Sequence, residues 1–495
     1  MTAIPKPETH VTTLTPGPTS APDLADLTRW FLTWVTDEGA INGFHNHSVW
    51  GTNPATFLDW TSGHAAFSAP ALGAVALLLA ARPDDRAAEV WRRMMRFQSS
   101  ALQDDDQYKH VGFQVGESAT TGLIHNATGS IGLLLGLKHA RHLLDDAEVD
   151  RIVDVVRRNL VALHSFGGGR PAEDGTCNQE YARVWVKLLL SEVTGDDSGL
   201  AEIREDLDVL IARHHEPGVP DADSSGTWRQ AEDRVAGGIL EPAEYYGLMI
   251  MPLLLGHLRL GEQRYLDEAV RLCRHVARSA WTDADGQTRF HRYWYVAPST
   301  TLKSDTPMLI AGMGLSLHGI REVCRVRPDA ELEEFMARCR ATYAHYQAPA
   351  GYFASATHWG TEADVAPSTA WHAHDLVFLA DDVEDPGQDF WTTVLTPDER
   401  QSVLMTNRAV WAEHGVHWCI RSPLTAGDLH LYGRKDRAVF GRDFFAWTDK
   451  EPLDDELRYP EAPLFLETND GMRRVDTSDR PTDVSTLGTT YQGEL

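Results

Sequence analysis

Six segments of this chain open with polar or small residues and then turn almost wholly apolar, and their recurrence restricts the fold more than any other feature. They begin at His64-Ala65-Ala66-Phe67, Asn126-Ala127-Thr128-Gly129, Asn178-Gln179-Glu180-Tyr181, Pro242-Ala243-Glu244-Tyr245, Thr306-Pro307-Met308-Leu309 and Ser368-Thr369-Ala370-Trp371. A repeat of this length holds two helices. The partners are one-sided, with apolar residues at helical spacing over 23–37, 84–103, 146–164, 197–214, 262–280 and 327–345. In the third of them Val149, Ile152, Val153 and Val156 form the stripe, and Asp150, Asp154 and Arg157 the wet side. Helices apolar all round belong inside and one-sided helices outside. The expected fold is therefore all-α, a toroid of six inner and six outer helices over residues 23–380.

Loop lengths orient the ring. Turns from inner to outer helices are short and cap-like, as in Arg82-Pro83-Asp84-Asp85, Gly195-Asp196-Asp197 and Gly261-Glu262. The opposite connections are long, about 38–63, 104–125, 165–177, 215–241, 281–305 and 346–367. Long connections in a compact domain are usually functional, so the site is expected where the inner helices begin. Residues 1–22 read as a flexible leader without the apolar stretch of a signal peptide. Residues 381–475 read as a cap with a helix near 397–413 and strands at Val416–Ile420 and Leu429–Tyr432, and 476–495 as a mobile tail.

Composition narrows the partners. With 72 Asp and Glu against 45 Lys and Arg, a formal charge of −27, the chain has no basic excess for nucleic acid or an anionic membrane surface. No apolar run reaches membrane-spanning length. Five cysteines without CxxC spacing suit a reducing compartment, and a cytoplasmic location is expected. Homo-oligomerisation stays open.

The long connections carry Trp50, Trp60, Trp228, Trp281, Trp294 and Trp359, together with tyrosines and carboxylates. Aromatic faces stack on sugar C–H surfaces while carboxylates and amides take hydroxyls, so a carbohydrate is the expected ligand. The plain alternative is that long loops need aromatics to hold themselves down. The six-pair pattern, with polar inner-helix starts and aromatic loops, resembles the (α/α)6-toroid glycoside hydrolases and toroidal polysaccharide lyases, over residues 23–380. In addition, Asn46-His47-Ser48-Val49-Trp50 is similar to the Asn-His-Ser-Tyr-Trp signature of alginate lyases, with Val49 where that family has Tyr.

Hydrolysis of a glycosidic bond needs one carboxylic acid and one carboxylate on opposite sides of the bond. The catalytic candidates are Glu180, Glu241, Glu244 and Asp305. Each has a structural reading as well. Asp305 before Thr306-Pro307 looks like a helix N-cap, Glu180 can pair with Arg183 three residues on, and Glu241 and Glu244 can be first-turn charges. Substrate-binding candidates are His47, Trp50, His125, Asn126, Asn178, Tyr245, Tyr246, His291, Arg292, Tyr293, Trp294, Lys303, Trp359 and His372. In a single strand over 289–295, His291 and Tyr293 would face one side, and Arg292 and Trp294 the other. Such a strand offers lyase chemistry, with Arg neutralising a uronate and His or Tyr taking its proton.

His45-x-His47 and His372-x-His374-Asp375 invite a metal. The second pair falls in an expected helix, where residues two apart diverge, so neither metal nor cofactor is expected, and Asp375 reads as a pocket carboxylate. Asp221-Ala222-Asp223-Ser224-Ser225 resembles the acidic motif of class II terpene cyclases but lies in a Gly/Pro/Ser loop. The first reading is an exo-acting, inverting glycoside hydrolase on short oligosaccharides. The alternatives are a uronate lyase or epimerase using His125 or His291, Tyr293 and Arg292, a noncatalytic glycan-binding protein, and most remotely a terpenoid cyclase.

Overall fold

The computed structural model describes residues 21–33, 35, 39, 41, 69–102, 104–108, 123–165, 171, 176–212, 226–227, 238–283, 286–291, 294–297, 300–303, 307–308, 310, 312–347, 351, 353, 369–380, 416–421, 430–434, 464–468 and 471–475. Twelve α-helices lie among them. Six are inner: α2 (Pro70–Ala81), α4 (Leu123–Ala140), α6 (Cys177–Thr194), α8 (Gly247–Leu260), α10 (Gly314–Val326) and α12 (Thr369–Leu379). Six are outer: α1 (Leu24–Thr33), α3 (Asp85–Ser100), α5 (Asp146–Ser165), α7 (Leu200–Ala212), α9 (Gln263–Ser279) and α11 (Ala330–Tyr346). Each inner helix packs on the next, and α12 packs back on α2, so the ring closes. Outer helices α3, α5, α7 and α9 each pack against the inner helices that precede and follow them.

The alternation has the cause that the sequence suggests. In α2 and α4 nearly every position is buried, from Ala71 to Leu79 and from Leu123 to Leu137, as suits helices without a polar face. In α5, Val149, Ile152 and Val156 are buried while Asp150, Asp154 and Arg157 face solvent. The short turns are capped as expected. Asp84 accepts the N–H of Ala87 at 2.8 Å to start α3, and Gly195 and Gly261 end α6 and α8 in the left-handed conformation that glycine adopts without strain.

The start expected at His64 lies outside the described residues, and among the others two differ from expectation. The segment at Pro242 first makes a 3₁₀ turn, Ala243–Tyr245, before α8 begins at Gly247. The one expected at Thr306-Pro307 is a strand at its described residues. Pro307 and Met308 form β6, paired with His291 and Phe290, and α10 begins only at Gly314. A Thr-Pro pair suits the first residue of an edge strand as well as a first helical turn. The connection from α9 to α10 thus supplies five strands to two antiparallel three-stranded sheets, and the connection from α7 to α8 supplies the sixth. One has the order β2 (Ala280–Thr282), β3 (Thr288–His291), β6 (Pro307–Met308), and the other β1 (Gly238–Ile239), β4 (Trp294–Ala297), β5 (Thr300–Lys303). The single strand expected over 289–295 is corrected accordingly: the chain leaves one sheet after His291 and enters the other at Trp294.

Toward the C-terminus, β7 (Val416–Arg421) pairs with β8 (His430–Arg434), where strands were expected, and β9 (Leu464–Thr468) pairs with β10 (Gly471–Val475). Residues 1–20 of the expected leader, the helix near 397–413 and the tail lie outside the described residues. No described helix is long and apolar enough to cross a membrane.

Candidate functional site

At the pole where inner helices begin, three consecutive helix N-termini are satisfied by side chains from the following repeat. Glu241 accepts the backbone N–H of Asn178 at 2.9 Å and its side-chain amide at 2.7 Å, at the start of α6. Ser316 of α10 accepts the N–H of Gly247 at 3.1 Å and donates to the Ala243 carbonyl at 2.9 Å, at the start of α8. Asp375 of α12 accepts the N–H of Gly312 at 2.9 Å and of Gly314 at 3.1 Å, at the start of α10. First-turn N–H groups have no partner within their own helix and carry the positive end of the helix dipole, so a buried acceptor is required there.

Three of the four candidate carboxylates lie at the starts of α6 and α8. Glu180, Glu241 and Glu244 are 3%, 1% and 0% exposed, which sets them apart from ordinary first-turn charges at a surface. Glu180 is bound by the fully buried Arg183 at 2.5 Å, and Arg183 also donates to the Leu163 carbonyl at 3.4 Å. That geometry is the pairing at three residues' separation read from the sequence. Removing one partner of a buried pair strands the other charge, so Arg183→Met is expected to cost about 3 kcal/mol in urea denaturation. An unchanged midpoint would show that Glu180 tolerates the loss. Glu244 sits within the 3₁₀ turn. Asp305 lies outside the described residues.

The binding candidates divide. Asn178 holds Glu241, as above, and His125 is buried in the first turn of α4. Tyr245 is half-buried at the pole. Tyr246 is instead packed outward, fully buried, with its hydroxyl accepting the N–H of Thr227 at 3.1 Å and its ring against His275. Burial holds its hydroxyl well above the usual tyrosine range, so it stays neutral. Asn126 also faces outward: its Oδ1 accepts the N–H of Tyr108 at 3.0 Å and the amide of Asn159 on α5 at 2.8 Å. His372 uses Nε2 to accept the N–H of Phe353 at 2.9 Å, and its ring lies on Phe353 and Trp30. These contacts give Tyr246, Asn126 and His372 positions in the packing between layers. Trp294 is 4% exposed with its ring on His275, while His291 is half-buried and stacked on Trp281. Lys303 ends β5. His47, Trp50, Arg292, Tyr293 and Trp359 lie outside the described residues.

Ser316 was not among the candidates, and Asp375, read from the sequence as a pocket carboxylate, is here the cap of α10. Asp375 also accepts the hydroxyl of Tyr343 on α11 at 2.6 Å. Burial pushes its carboxyl up to about 7, against the opposing pull of the Tyr343, Gly312 and Gly314 donors. No group of three His, Cys, Asp or Glu among the described residues is arranged to hold a metal ion.

No protein family and no curated protein matches the sequence. Among solved structures, a sugar epimerase from a ruminal bacterium aligns with a TM-score of 0.51 at 8% identity, over 72% of this chain and 96% of its own. The fold is a helical toroid. A family 76 glycoside hydrolase (mannosidase) from Bacteroides thetaiotaomicron is similar at a TM-score of 0.48 and 11% identity, over 77% and 99% of the two chains. A polysaccharide lyase is similar at 0.46 and 14%, over 72% and 96%. Identities this low express a shared fold alone. In the toroid, Glu180, Glu241 and Glu244 lie buried at the starts of α6 and α8, and Asp375 at the start of α10.

Proposed function

We propose that this toroid is a carbohydrate-active enzyme working at the capped pole, and specifically an exo-acting, inverting glycoside hydrolase on short oligosaccharides. The carrying observation is the burial of Glu180, Glu241 and Glu244 around the starts of α6 and α8, with Glu241 held between two N–H donors. Donors of that kind favour the ionised form, which suits Glu241 to activating water. Glu244, in the turn that leads into α8, is then the acid that protonates the leaving oxygen. Glu180, fixed by Arg183, supplies a steady negative charge beside them. The sugar epimerase that shares the fold agrees with a carbohydrate as the substrate class. Buried free thiols at Cys273, Cys324 and Cys339 agree with a reducing, cytoplasmic setting.

A second reading, an epimerase or uronate lyase, draws on His291, half-buried against Trp281, and on His125 at the start of α4. Imidazole changes charge near neutrality and suits proton abstraction beside a carbonyl or carboxylate.

The decisive assay follows purified protein on neutral and uronic-acid oligosaccharides by reducing-sugar release, ultraviolet absorbance and NMR of the anomeric proton. Hydrolysis gives reducing sugar of inverted configuration without a chromophore, and Glu241→Gln or Glu244→Gln lowers kcat by about 100-fold or more. An unsaturated uronate, or epimerisation without cleavage, overturns the hydrolase in favour of the second reading. Binding without turnover of any of them reduces the protein to a glycan-binding module.

A further inference from the structure

Glu241 reaches Asn178 from a strap that is fixed at several points. Its own N–H donates to the Thr227 carbonyl at 2.8 Å, and the N–H of Leu240 donates to the Trp294 carbonyl at 2.9 Å. The N–H of Thr227 in turn donates to the Tyr246 hydroxyl at 3.1 Å. Just before it, Gly238 and Ile239 pair with Val296 and Tyr295 of β4. The strap therefore rests on two aromatic residues, Tyr246 and Trp294.

Both rings lie against one side chain of the outer layer. His275 of α9 is 1% exposed, and its ring centroid is 4.9 Å from that of Tyr246 and 4.9 Å from that of Trp294. The segment beside Thr227 is pressed onto the same place. A Cβ at Gly226 would lie 2.6 Å from the Tyr246 hydroxyl, 2.7 Å from His275 Cε1 and 2.7 Å from Leu240 Cδ1. Close packing of this kind transmits a displacement to its neighbours instead of absorbing it.

We infer that His275 is a positioning residue for Glu241: its ring, wedged between Tyr246 and Trp294, sets where the strap lies and so where the Glu241 carboxylate meets the start of α6. The consequence for turnover rests on the catalytic role proposed for Glu241. The consequence for geometry does not.

Hydrogen exchange on the full-length protein, read by mass spectrometry, separates the two. In His275→Ala, amides of Asn178, Thr227 and Glu241 are expected to exchange roughly tenfold faster, with Ile131–Leu137 of α4 unchanged. His275→Phe, which restores an aromatic ring, keeps the wild-type rates. In activity, His275→Ala lowers kcat about tenfold with KM unchanged, as slight misplacement of a reacting group does, and adds nothing to Glu241→Gln. Unchanged exchange at Asn178, or equal acceleration throughout the ring, overturns the inference. Should His275→Ala fail to fold, Tyr246→Phe removes only the acceptor of the Thr227 N–H and is expected to speed exchange at Thr227 and Asn178; wild-type rates there overturn it too. If Glu241→Gln retains full turnover, the hydrolase reading fails while the exchange rates still decide the positioning role.

Discussion

Gly314→Ala is expected to destabilise the toroid by at least about 4 kcal/mol, beyond the roughly 1–3 kcal/mol that an added methylene costs in an ordinary core. A Cβ at this position would stand 2.0 Å from the His374 carbonyl oxygen, 2.2 Å from its carbon and 2.4 Å from Asp375 Cα. All three atoms are backbone of α12, so no side chain can turn aside. Relief requires α10 and α12 to separate, which would also break the bonds from Gly312 and Gly314 to Asp375. Gly261→Ala is the control. Its φ is +72° with nothing within 4 Å of the added atom, so the cost is the left-handed strain alone, about 1–2 kcal/mol. Urea denaturation followed by tryptophan fluorescence compares the two. Equal costs would mean that the inner helices are not in backbone contact at this point.

The helix pairs were legible because burial period is a local property. Val149, Ile152 and Val156 announce an outer helix, and the run from Ala71 to Leu79 an inner one, without any knowledge of the ring. What escaped depends on distant partners. Thr306-Pro307 carries the same local signal for a helix start and for an edge strand, and pairing with Phe290 and His291 decides it. Caps posed the same difficulty. Asp84 and Asp329 cap their own helices and can be read within four residues. Glu241, Ser316 and Asp375 cap helices one repeat earlier, over separations of 63, 69 and 63 residues. Likewise the Glu180–Arg183 pair is visible at three residues' separation, whereas the contact of Tyr246 with His275 gives no sign in the sequence that this tyrosine turns away from the pole.

Acid should strengthen the ring through Asp375, the reverse of the usual carboxylate behaviour. In the unfolded chain this carboxyl ionises near its ordinary 3.8, and in the fold burial pushes it up to about 7. Between those values the unfolded chain has released a proton that the folded chain keeps, so rising pH favours unfolding. The stabilisation is full below about pH 4 and lost as pH passes through about 7, with a span of roughly 4 kcal/mol. Histidines titrate over part of the same range, so the measurement is the difference between wild type and Asp375→Asn. The amide cannot ionise, and it replaces one acceptor oxygen of the N–H groups of Gly312 and Gly314 with a donor. Near pH 4 the variant is therefore expected to be the less stable of the two, and its disadvantage should shrink by about 4 kcal/mol by pH 8. A difference that stays flat, or grows with pH, would show that the two glycine N–H groups and the Tyr343 hydroxyl outweigh desolvation and keep the carboxylate ionised. The start of α10 would then be held by a permanent negative charge, and the capped pole would carry one more anion at neutral pH.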